Sequence, residues 1–248
     1  MLLTGVVAGF AGSMLGLGGG FVLVPLLTAL YGIGYLKNVV VASLSAIVLT
    51  SLISTLRYKD LGLLKEDLTA LFSIPTVIGA ILGSLTLRII KPKTLSIIFG
   101  LAILLVIFTM AFRKREVVTH KGPVVVKPYT YPIFVLSGFA SNLLGIGGGL
   151  INVPALTLLC RLGLKSAIAV STSLMCYSTV IGVTNGYVSG LFMPQLAIPA
   201  ALGVSIGAYL GPLATAKLPT ATLRKVFIAA ATYLALRMVL RGLGVYVP

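Results

Sequence analysis

GFAGSMLGLGGGFVLVPLLT, residues 9–28, returns in altered form as GFASNLLGIGGGLINVPALT, residues 138–157. With the second copy slid back by 129 positions, twelve of the twenty residues are identical, among them Gly16/Gly145, Gly18/Gly147, Gly19/Gly148, Gly20/Gly149 and Pro25/Pro154. Glycine has no Cβ and adopts positive φ without strain, so a run of glycines ends a helix. Inside an apolar segment that break is costly, because the freed backbone groups find no water to pair with. Two breaks at matched positions therefore predict a built feature, and the chain reads as organised around it.

The lengths on either side of the break say what it does to the chain. The apolar stretch over residues 2–35 would be about 51 Å long as one straight helix, well beyond the ~30 Å hydrocarbon core of a bilayer. Cut at residues 16–20, it becomes two pieces of roughly 14 residues each, enough to reach mid-depth and return, or to form one long broken span. Residues 133–160 divide in the same way at 145–149.

Composition places the whole chain in a membrane. Of 248 residues, 58% are hydrophobic and only 9% charged, against roughly 25% charged in soluble domains. Apolar runs at 39–56, 68–87, 95–112, 167–184, 196–216 and 226–236 approach or reach the length of a crossing helix, and they lack the short alternating segments of a membrane barrel. The net charge of +15 does not signal nucleic acid, because Lys and Arg sit mostly in short loops where anionic lipid headgroups account for them. The acidic residues, Asp60, Glu66, Asp67 and Glu116, all lie in loops or at the ends of spans. Cys160 and Cys176 have no metal or redox spacing and read as small apolar residues, and His120 stands alone in a polar loop. No metal or cofactor is expected. The start of the chain lacks a basic leader segment of the cleavable kind.

The duplication extends past the glycines. Ser43 and Ser45 correspond to Ser171 and Ser173, Gly62-Leu63 to Gly190-Leu191, and IPxxxGxxxG occurs at Ile74-Pro75-Gly79-Gly83 and again at Ile198-Pro199-Gly203-Gly207. The fold expected is an all-α membrane protein of two repeats, residues 1–112 and 132–248, joined by a polar linker at 113–131. Each repeat is a glycine-broken segment followed by three spans. If the broken segments are full crossings, the two sides carry nearly equal basic charge. If they are re-entrant, the repeats are inverted, and loops 57–67, 113–131, 161–165 and 216–225 gather 13 of the 19 Lys and Arg on one side. That asymmetry favours the inverted over the parallel arrangement, with the basic side cytoplasmic.

A half-helix that starts after a glycine break offers unpaired backbone N–H groups and the positive end of its dipole. Two such starts near the midplane suit an anion. The candidate substrate-binding residues are Gly18, Gly19, Gly20, Gly147, Gly148 and Gly149, with Ser13, its repeat-mate Asn142, and Ser43, Ser45, Ser171 and Ser173 as side-chain donors; Asn152, opposite Leu23, would make the site asymmetric. The spans hold no carboxylate, which disfavours a cation pump or a carboxylate proton relay. Against the functional reading, GxxxG pairs such as Gly79/Gly83 and Gly203/Gly207 are ordinary helix-packing devices, and a membrane serine can bond its own i−4 carbonyl. Neither a phosphate loop, which needs a following Lys-Ser/Thr, nor a hydrolytic Ser/His/Asp set is present.

The duplicated glycine motif, followed each time by a serine-bearing span and an IPxxxGxxxG span, resembles the sulfite exporter TauE/SafE family of membrane permeases over essentially the whole chain. The resemblance implies a prokaryotic inner-membrane transporter of seven or eight helices that moves sulfur-containing anions such as sulfite, sulfoacetate or other organosulfonates, and not an enzyme. Its partners would be a small anion and membrane lipid, with a homodimer left open. An anion channel with the same broken helices and a non-transporting membrane subunit remain as alternatives.

Overall fold

The computed structural model describes residues 2–15, 18–112, 126–217, 232–233 and 235–244. Residues 16–17, linker positions 113–125 with Glu116 and His120, loop residues 218–225 and most of the apolar run 226–236 lie outside the described residues. The described elements are all helical: α1 Leu2–Leu15, α2 Gly20–Tyr31, α3 Leu36–Asp60, α4 Glu66–Ile89, α5 Pro92–Phe112, α6 Thr130–Leu144, α7 Gly149–Pro154, α8 Leu164–Val188 and α9 Pro194–Lys217. A wide π-turn, Ala155–Leu159, continues α7, and a further helical stretch covers 235–242. α3, α4 and α8 are long and apolar enough to cross a membrane.

Local chemistry explains where these helices stop. α3 and α8 end in the same cap: Gly62 and Gly190 both take φ 67°, the left-handed conformation that glycine adopts without penalty. The Gly62 N–H bonds Lys59 O at 2.9 Å and the Leu63 N–H bonds Tyr58 O at 3.0 Å; Gly190 and Leu191 repeat the pattern on Tyr187 O and Gly186 O. The matched Gly-Leu pairs are thus helix C-caps. Glu66 and Asp67 open α4, where carboxylates face the positive end of the helix dipole.

Interhelix hydrogen bonds fix the directions. Lys37 Nζ donates to Arg88 O at 2.7 Å and Asn38 Nδ2 to Leu191 O at 3.0 Å, so one end of the bundle gathers the start of α3 and the ends of α4 and α8. At the other end Arg57 donates to the Tyr209 hydroxyl, and Lys59 pairs with Glu66 at 2.9 Å. α3 and α9 therefore run one way, and α4 and α8 the other.

α1 and α2 fold back on each other, since a Cβ on Gly19 would sit 2.6 Å from Ala8 O and one on Gly12 would collide with the backbone of Gly19. α2 then leads through the short turn Ile33–Tyr35 into the start of α3. α6 and α7 fold back in the same manner, Gly148 lying against Ser137 and Ser141. Their base is at the opposite end, where Leu156 and Cys160 pack with Leu68 and Phe72 near the start of α4.

Each hairpin is clamped by a glycine-lined groove on a long helix. A Cβ on Gly79 or Gly83 of α4 would overlap the Val135 or Phe139 carbonyl of α6, and one on Gly138 would overlap Thr76 O. On the other side Gly5 and Gly9 of α1 meet Gly203 and Val204 of α9, while Gly207 meets Val6 and Phe10. The paired glycines of IPxxxGxxxG are packing positions, and they bring backbones close enough for dispersion to hold helices that gain little from the hydrophobic effect inside lipid. Gly138→Ala is expected to lower the unfolding temperature in detergent by several degrees, from an overpacking cost of about 1–3 kcal/mol. Gly34→Ala, where a Cβ meets nothing within 4 Å, should leave it unchanged.

Candidate functional site

The two glycine turns meet. Both are built from consecutive left-handed glycines, Gly18 and Gly19 at φ 75° and 77°, and Gly147 and Gly148 at φ 92° and 74°. α2 and α7 start at the last glycine of each run, Gly20 and Gly149, with Gly19 and Gly148 as N-caps. The first turns then close identically: Gly19 O accepts from the N–H groups of Val22 and Leu23, and Gly148 O from those of Ile151 and Asn152, all at 3.1 Å. Pro25 lies in the second turn of α2, and Pro154 ends α7 just before the π-turn.

Contact between the turns is through backbone. A Cβ on Gly20 would overlap Gly145 O and come within 2.8 Å of Ser43 Oγ; one on Gly18 would stand 3.2 Å from Ile146 O and 3.1 Å from the side chains of Ile47 and Met175. Ser43 on α3 donates to Gly145 O at 2.8 Å, tying the second turn to the helix that also carries Ile47. Gly18, Gly20, Ser43 and Gly145 thus form one junction at which α3 and α8 flank the two turns.

The other sequence candidates fall in different places. Ser13 is buried, and its hydroxyl donates to its own helix at Gly9 O, 2.7 Å away, while its carbonyl accepts from Tyr58 at 2.9 Å. Ser45 likewise bonds Val41 O on its own helix at 2.9 Å. Ser171 and Ser173 are buried on α8. Gly19 lies against α1, and Gly147 and Gly149 are buried in the second turn. Asn142 donates to Ser178 O at 2.9 Å, and its Oδ1 has no partner.

Two further groups join the site that the sequence did not single out. Ser137 donates to Gly148 O at 3.0 Å, holding the second turn to α6. The Ser141 and Ser178 hydroxyls meet at 3.2 Å across α6 and α8. The repeat alignment does carry a signal for Ser137 and Ser141, which stand opposite Ala8 and Gly12. Hydroxyls that replace small apolar residues within an otherwise matched apolar motif have a local reason to be there. Beside this hairpin is a cleft of about 340 Å³, reached by Ala102 and Leu105 of α5 and walled by Ser141, Gly148 and Ile151.

The long apolar helices, the glycine-broken hairpins and a buried junction rich in backbone polar groups define an all-helical membrane protein. The chain belongs to the family described as sulfite exporter TauE/SafE, which matches residues 1–238. Among its relatives are the probable membrane transporter protein YunE of Bacillus subtilis (strain 168), 29% identical over 90% of both chains, and a probable membrane transporter protein of Haemophilus influenzae, 29% identical over 97% of both. Methanocaldococcus jannaschii has another, MJ0441, 26% identical over 83% of this chain and 80% of its own. No solved structure matches the chain. The family is one of membrane transporters, not of enzymes.

Ser43→Ala is expected to loosen the junction by about 1 kcal/mol, the usual net worth of a buried hydrogen bond, and to lower the melting temperature measurably in detergent. Ser45→Ala, whose hydroxyl returns to its own helix, should be close to neutral in the same assay.

Proposed function

We propose that this chain transports a small sulfur-containing oxyanion, such as sulfite or an organosulfonate, bound near the midplane where the two glycine turns meet. It works as two inverted repeats, residues 1–112 and 132–248 joined by 113–131, each a re-entrant hairpin followed by three crossing helices. The observation that carries this reading is the meeting of the turns: Gly18 and Gly20 touch Ile146 and Gly145 from hairpins based at opposite ends of the bundle. Correspondence of packing supports the repeats, since α1 lies on α9 as α6 lies on α4, and α3 lies against α9 as α8 lies against α4. Antiparallel α3 and α8 are what an axis in the membrane plane would relate.

Backbone amides at left-handed glycine turns, hydroxyls and carboxamides are the donors within reach, and they suit an oxyanion better than a metal ion. Asp60, Glu66 and Asp67 stand at the ends of their helices, and no Asp or Glu lies within a span to bind a cation. The family description supports the sulfur-containing class. Its bacterial and archaeal relatives support a prokaryotic plasma membrane.

Purified protein in liposomes should take up radiolabelled sulfite saturably, and faster when unlabelled sulfite is trapped inside. Linear, unstimulated flux would instead indicate a channel, and absence of flux together with failure to bind sulfite or a sulfonate would refute the transport proposal. The inverted arrangement has its own test in matched exposed positions. Single cysteines replacing Asp60 and Val188, in a background without Cys160 and Cys176, should react with an impermeant maleimide from opposite sides of the membrane. Reaction from one side only would mean parallel repeats.

A further inference from the structure

Asn152 on α7 is 1% exposed, yet neither its Oδ1 nor its Nδ2 has a hydrogen-bond partner. A buried carboxamide with both ends unpaired opposes folding. The fold has no need of one there, because the matched residue of the first hairpin is Leu23, equally buried and packed with Ala8, Ala46, Ala200 and Val204. A leucine therefore fills the equivalent place in the same chain.

The surroundings of Asn152 differ from the first hairpin in the same direction. Ser137, Ser141 and Asn142 stand where the first hairpin has Ala8, Gly12 and Ser13. Two sets of hydrogen bonds lie side by side here: Gly148 O accepts from the Asn152 backbone N–H at 3.1 Å and from Ser137 at 3.0 Å, and Gly148 packs against Ser141, which meets Ser178 at 3.2 Å beside the Asn142 bond to Ser178 O at 2.9 Å. Asn142 Oδ1 is a second buried acceptor without a partner. Ser141 and Gly148 also wall the cleft beside α5, where a small molecule has room, and Asn152 stands outside that lining. The side chains of the two hydrogen-bonded sets are hydroxyls and carboxamides, with no charge of either sign.

A bare oxyanion brings only acceptors. It would satisfy Asn152 Nδ2 and leave the unpaired Asn152 Oδ1 facing more negative charge. We infer that Asn152 is a specificity-determining residue that pairs its Nδ2 with an oxyanion oxygen and its Oδ1 with a hydroxyl carried by the same ligand. The substrate class is then a monoanion bearing its own hydroxyl donor, a hydroxylated sulfonate. This inference rests on the oxyanion-transport reading and narrows it.

The test uses the full chain in detergent, titrated calorimetrically with 2-hydroxyethanesulfonate, ethanesulfonate and sulfite. The first two differ by one hydroxyl. The wild type should bind the hydroxylated sulfonate roughly tenfold more tightly or better, the scale of one buried hydrogen bond. Asn152→Leu, which copies Leu23, should remain folded and lose that preference; Asn152→Ser serves as a second variant if leucine cannot be packed. An equal preference in wild type and variants, as expected of a carboxamide that holds only water, overturns the inference and leaves the transport proposal standing. Equal affinity of the wild type for the two sulfonates, or binding of sulfite alone, also overturns it. Failure of the wild type to bind any of the three, together with absence of sulfite flux in liposomes, would remove the transport proposal itself.

Discussion

Backbone-to-backbone contact between two glycine turns is the constraint on which the rest of this structure depends. Four consecutive-pair glycines, Gly18-Gly19 and Gly147-Gly148, take left-handed φ values that other residues adopt only under strain. A Cβ on Gly20 would overlap the Gly145 carbonyl, so the junction closes only because nothing projects from it. Holding two such turns together requires each hairpin to be gripped from outside. The grooves of α9 around α1 and of α4 around α6 supply the grip, again through glycines. The small residues of this chain thus serve two ends, close helix packing in the outer grooves and close approach of turns at the centre.

Polar groups in the interior follow one rule with few exceptions. Ser13, Ser45, Thr28, Thr50, Thr76 and Thr172 return their hydroxyls to carbonyls three or four residues earlier in their own helices, which satisfies them without reference to any ligand. Ser43, Ser137 and Tyr58 instead tie a turn or the end of α1 to another segment. They are the fastenings of the junction. Only where the second hairpin departs from the first, at Asn142 and Asn152, does the described interior leave carboxamide atoms unpaired. The two hairpins share a backbone plan and differ in polarity, and that difference is concentrated on one side of the junction.

Much of this was legible in the sequence, for identifiable reasons. The glycine breaks, the long apolar spans and the matched Gly62-Leu63 and Gly190-Leu191 caps are set by local chemistry, and local chemistry is written in adjacent residues. The packing role of Gly79, Gly83, Gly203 and Gly207 was readable from their spacing. What could not be read were the partners. That Ser43 reaches Gly145, that Tyr58 reaches Ser13 O and that Ser141 meets Ser178 depends on contacts between segments 37 to 102 residues apart. The sequence therefore treats Ser13, Ser43 and Ser45 alike as donors, whereas the structure gives two of them to their own helices and one to the opposite turn. The alignment of the repeats contained a finer clue in the polar residues present in only one copy, and those residues lie together in the folded chain.

A transporter that binds an oxyanion at this junction makes a claim about position, which can be measured directly. Selenite scatters anomalously and has the shape of sulfite. A map of the anomalous signal from crystals of the full chain grown with selenite should show its peak beside the second glycine turn, within hydrogen-bonding distance of Gly147–Gly149 or of Asn152. A peak found only among the Lys and Arg side chains of the loops would contradict the account.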